Sequence, residues 1–141
     1  MKKIVPALLL FFLTNASCKK VSEALPVSKE NIVGTWQLTA KRMSATGIPE
    51  QDAYPNMEEC EKDNLYYFNV DYSFAYMDAG ATCDMSEPVL GFWELHEKVI
   101  TFLSQTGSIT KFDGTYMEVM TQVTYATTGT VYITKYSFRK I

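Results

Sequence analysis

From Ile32 onward the chain never sustains a helical hydrophobic period over the dozen or so residues a helix needs, which excludes a helical body. Short runs rich in Thr, Val, Tyr and Phe alternate instead with turn residues. Eight strands are predicted, over 33–43, 64–70, 73–78, 89–96, 99–104, 108–112, 115–125 and 130–140. Asp71 to Ser73 separates two aromatic runs, and His96 to Lys98 joins "FWEL" to "VITFL". Asp113-Gly114 is a hairpin signal, and "ATTGT" (126–130) is a glycine-bearing loop. No helix is available for parallel crossovers, so the order is a meander of antiparallel hairpins.

Alternation assigns faces to the last hairpin. Met117, Val119, Val123 and Tyr125 share one side of their strand, opposite Glu118, Gln122 and Thr124. Across the turn, Tyr132, Tyr136 and Phe138 oppose Lys135 and Arg139. Eight antiparallel strands with open edges invite aggregation, and closure into an up-and-down β-barrel removes those edges. A sandwich is the competing architecture.

The N-terminus carries different information. Lys2 and Lys3 precede an apolar run from Ile4 to Leu13, about half of what a bilayer span requires. Residues 1–17 therefore read as an export signal peptide. Ala16 and Ser17 are small, and Cys18 follows, in an arrangement that resembles the lipobox of bacterial lipoproteins. That resemblance implies cleavage before Cys18, acylation of its thiol, and a lipidated tether over 18–31 that leads into a domain at 32–141. Several acyl chains, at about 0.8 kcal/mol per buried methylene, make a lasting membrane anchor. Lys19 after the cysteine fits sorting to the outer membrane, facing the periplasm or the cell surface. With Cys18 acylated, Cys60 and Cys83 are the remaining pair among three cysteines, and an oxidising compartment favours a disulfide between them.

The chain holds 13 Lys and Arg against 16 Asp and Glu, a net charge of −3. Loss of Lys2 and Lys3 with the signal makes the mature protein more acidic. No dense basic patch appears, so nucleic acid is not an expected partner.

"NIVGTWQLTA" contains Gly34 and Trp36 in a Gly-x-Trp motif on the first strand. Cys60, Asp63 and "YYF" (66–68) follow, then Cys83, then a second Gly-x-Trp at Gly91 and Trp93. This ordered set is similar to the small lipocalin-like lipoproteins of Gram-negative bacteria, members of the wider calycin group. The resemblance implies an eight-stranded lipocalin-like β-barrel with Trp36 plugging one end. It also implies an arginine stacked over that tryptophan, for which Arg139 is the candidate. Fatty-acid-binding proteins share the early Gly-x-Trp but place a helical pair where residues 44–62 here contain Pro49 and Pro55.

Few residues suggest chemistry. The single histidine, His96, sits at a predicted turn, with no nucleophile elbow elsewhere, so no enzyme activity is expected. The acidic run 57–64 lacks the glycine of a calcium loop, and zinc lacks ligands, so neither metal nor cofactor is expected. Residues 44–62 form a long connection that would serve as a lid over the barrel mouth. A small hydrophobic or amphipathic molecule held there would meet Tyr54 and Met57 on the lid, with Tyr66, Phe68 and Phe74 on the second and third strands. The alternative function is a cell-envelope interaction or scaffold module whose barrel is filled by its own rings.

Overall fold

A computed structural model describes residues 25–82 and 87–141. The signal segment, Cys18 and Cys83 lie outside the described residues.

The described chain is a single antiparallel sheet of ten strands. A short helix α1 (Lys29–Ile32) precedes β1 (Gly34–Ala45) and β2 (Ile48–Asp52). A 3-10 turn (Tyr54–Asn56) and helix α2 (Glu59–Lys62) lead to β3 (Leu65–Phe68) and β4 (Ser73–Met77). Then come β5 (Val89–Phe92), β6 (Glu94–His96), β7 (Val99–Phe102), β8 (Gln105–Phe112), β9 (Tyr116–Thr124) and β10 (Val131–Lys140).

The strand order is β5-β4-β3-β1-β10-β9-β8-β7-β6, with β2 added to β1. The two ends of this path, β5 and β6, are halves of one chain segment broken at Trp93. The first half pairs with β4 and the second with β7, so the segment 89–96 crosses the seam and draws the sheet into a barrel. Counted as one bent strand, it gives the eight-stranded up-and-down barrel the alternation predicts. Each of the eight expected strands is present, with three adjustments.

The first adjustment is that break. Trp93 has no solvent exposure, and its indole N–H donates to the Asn69 carbonyl at 3.0 Å. The second concerns the hairpin between β7 and β8. It turns on Leu103 and Ser104, both at positive φ, as a two-residue hairpin demands. Residues 105–107, expected to be a connection, therefore belong to β8.

The third adjustment falls on residues 44–62, which are not a structureless lid. Residues 48–52 pair with the outer half of β1 as an exposed edge strand. The inner half of β1 pairs with β3 only over Gly34–Gln37, so the wall opens above that point. The next segment fills the opening: Ala53 N–H donates to the Lys41 carbonyl at 2.8 Å, and the Tyr54 hydroxyl donates to that of Leu38 at 3.2 Å. Gln37 in turn donates to the Lys62 carbonyl at 3.3 Å. Backbone groups that would be orphaned at the split are thereby satisfied.

The core runs along the barrel axis through Trp36, Leu38, Phe68, Phe74, Ile100, Phe102, Met117, Val119 and Phe138. Ile32, the last residue of α1 and the first of the expected domain, has no exposure and closes one end.

Candidate ligand cavity

Trp36 lies in the closed end and donates its indole N–H to the Ile32 carbonyl at 2.7 Å. The cation over its ring is Lys140, with Nζ 5.3 Å from the centroid, and not Arg139. Arg139 is exposed on the outer face, because it neighbours the buried Phe138 and successive strand residues point to opposite sides. Gly34 has φ +139°, and a Cβ there would come within 2.5 Å of the Lys140 Cε. The glycine of the first Gly-x-Trp thus leaves room for the lysine that covers the tryptophan.

Above this plug the barrel is filled by rings. Phe68 meets Trp93 edge-on at 5.4 Å, Phe102 at 5.3 Å and Phe74 at 5.2 Å. Phe68 and Phe74, expected to face a ligand, are 1% and 2% exposed and serve as packing instead.

Beyond the rings a cavity of about 240 Å³ opens toward the other end. Leu38, Phe102, Val119 and Phe138 form its apolar wall, and Tyr66, Tyr76, Tyr136 and Lys41 supply polar atoms. Exposed Glu61 and Gln105, with Met57, mark its opening. Gly107 on β8 helps to shape the wall, since a Cβ there would sit 2.6 Å from Val119 Cγ1. The size is modest for a ligand site, at or below the low end of the usual 300–1,000 Å³.

The tyrosines form a connected group. The Tyr66 ring lies 4.9 Å from that of Tyr76 and edge-on to Phe138 at 5.0 Å. Asn64, with no exposure, donates its amide to the Tyr76 hydroxyl. Burial, then the neighbouring Tyr76, pushes the Tyr66 phenol well above its ordinary value, and burial raises that of Tyr136. Both are neutral hydrogen-bond donors at physiological pH. Rings beside hydroxyls suit a ligand that is apolar over most of its length and polar at one point.

Of the five residues expected to touch a ligand, Met57 and Tyr66 line this cavity. Tyr54 is half-buried and faces the β1 backbone. Lys41, Tyr76 and Tyr136 were not anticipated. Tyr76 and Tyr136 could have been found by strand alternation, which puts them on the same faces as Phe74 and Phe138. His96 is exposed on the outer surface, 3.9 Å from Glu94, and does not reach the cavity. Among the described residues no three His, Cys, Asp or Glu side chains converge to hold a metal.

A family model described as a lipocalin-like domain matches residues 32–124. The chain belongs to the lipocalin-like domain family. No curated protein and no solved structure matches it. The family match begins at Ile32, the residue that closes the barrel end, and runs to the last residue of β9. In this lipocalin-like protein the architecture is that of a binding fold, with its interior reached from one end.

Proposed function

We propose that this protein is a membrane-anchored lipoprotein that reversibly binds a small amphipathic molecule in its barrel. One observation carries the reading: the interior is not packed to the end, but leaves a cavity lined by Leu38, Phe102 and Phe138 together with three tyrosines. The anchor is the acylated Cys18 at the outer membrane, and a Cys60–Cys83 disulfide braces the chain between α2 and β5. The binding role involves no chemical conversion of the ligand. Native mass spectrometry of the protein purified from its own host tests the reading. A small molecule that travels with the folded chain and leaves on denaturation is expected; a ligand-free mass after gentle purification argues against it.

A second reading has one observation in its favour. Leu90 and Phe92, on β5, are 73% and 77% exposed, an apolar edge that suits a protein-interaction module of the cell envelope. Substituting both with Ser would abolish such an association while leaving small-molecule binding intact.

A further inference from the structure

Strict alternation along β1 would turn Lys41 to the outside, because Trp36 and Leu38 face in. The register shows otherwise. Leu38 is opposite Phe138, but the next pair is Ala40 with Ser137, so Thr39 is an extra residue in β1. This β-bulge reverses the faces beyond it, and bulges commonly re-aim a side chain in this way. Thr39 is exposed and its hydroxyl donates to the Ser137 carbonyl at 3.2 Å. Lys41 consequently sits opposite Tyr136 and lines the cavity, with Nζ 5.9 Å from the centre of the Tyr136 ring. Its neighbour Arg42 points outward instead and lies 3.7 Å from Glu50.

The charge brought inside has no counter-ion among the described residues. Lys62, Lys111 and Lys135 each pair with a glutamate, whereas among the described residues no carboxylate pairs with Lys41. The Tyr136 hydroxyl makes no hydrogen bond among the described residues, which leaves its proton available. Among the described residues Glu61 is the one acid lining the cavity. Its carboxylate accepts the Glu58 N–H at the start of α2. The cationic, donor-rich part of the cavity is at Lys41 and Tyr136.

Resting on the reading that the cavity binds a small molecule, we propose that Lys41 and Tyr136 select ligands whose polar end is an anion. The anionic group sits between the ammonium and the phenol, and the apolar remainder lies against Leu38, Phe102 and Phe138. A charge-assisted hydrogen bond inside a partly closed cavity is the physical source of the preference.

Octanoate and octan-1-ol share a chain and differ in the charge of the polar end. Calorimetric titration of the Cys18→Ser protein, which carries no acyl chain, with each at neutral pH is expected to show octanoate binding about tenfold more tightly. Lys41→Met should weaken octanoate much more than octanol and so remove that difference, Lys41→Arg should keep it, and Tyr136→Phe should reduce it. Thermal midpoints of the variants report whether each still folds. Equal affinity for the two probes, or equal weakening of both by Lys41→Met, overturns the anion preference and leaves the cavity reading standing. Failure of both probes to bind the unsubstituted cavity overturns the preference and the cavity reading together.

Discussion

The Lys140 side chain runs past Gly34 and places its ammonium over Trp36, where it also donates to the Asn31 carbonyl at 2.9 Å. Burial lowers the proton affinity of this ammonium, and the ring and the carbonyl are what compensate it. Gly34 combines a backbone conformation that side chains rarely adopt with the space the lysine occupies. Gly34→Ala should destabilise the barrel by about 1–3 kcal/mol, the range for a strained backbone position. Lys140→Met, which keeps the length and removes the charge, should cost less, about 0.5–2 kcal/mol. Urea unfolding followed by tryptophan fluorescence measures both.

Deleting 48–56 removes β2 and the groups that satisfy the Leu38 and Lys41 carbonyls. A pure lid could be removed without harm to the fold. Here the deletion should lower stability by several kcal/mol, at about 1–3 kcal/mol for each buried polar group left unpaired. Tyr54→Phe, which removes only one donor, should cost about 1 kcal/mol. Thermal unfolding by circular dichroism distinguishes a lid from a wall.

Glu118, on the outer face of β9, is 3% exposed. Burial pushes its carboxyl up, but hydrogen bonds from Thr110 and Lys111, with the charges of Lys111 and Lys135, outweigh that and hold it below its ordinary 4.5. A carboxyl depressed on folding adds stability in full above the unfolded value and loses it as pH falls through the folded one. Acidification below about pH 4.5 should therefore destabilise the protein more steeply than the Glu118→Gln variant. Urea midpoints between pH 7 and pH 3 give the two slopes.

On the proposal that Cys60 and Cys83 pair, the Cys18→Ser protein should present no reactive thiol until it is reduced. Reduction should lower stability by roughly 3 kcal/mol, the chain-entropy value for a loop of about two dozen residues. A thiol titration before and after unfolding in denaturant, with and without reductant, reads this directly.

Much of the barrel is legible in the sequence because each wall strand has an apolar side. β2 is not legible, since "IPEQD" shows no alternation and is exposed throughout, as suits an edge strand that tolerates Pro49. The plug residue Trp36 is visible in its motif, yet its cation is not. The alternation that pairs Tyr136 with Phe138 already sets Arg139 on the opposite face, and local geometry overrides the family expectation there. Lys41 is the least visible of all, because a bulge at Thr39 leaves no mark on a run of polar and small residues. The cavity itself depends on where the rings stop, a matter of tertiary packing that the count of aromatics does not determine.

The central claim is that a small amphipathic molecule occupies the interior beside Tyr66, Tyr76 and Tyr136. Heteronuclear NMR of the Cys18→Ser protein titrated with octanoate tests this most directly, because it locates binding as well as detecting it. Saturable shifts concentrated at Lys41, Tyr66, Tyr76, Val119 and Tyr136 are expected. Shifts confined to the outer edge at Leu90 and Phe92, or no saturable shift anywhere, would contradict the claim.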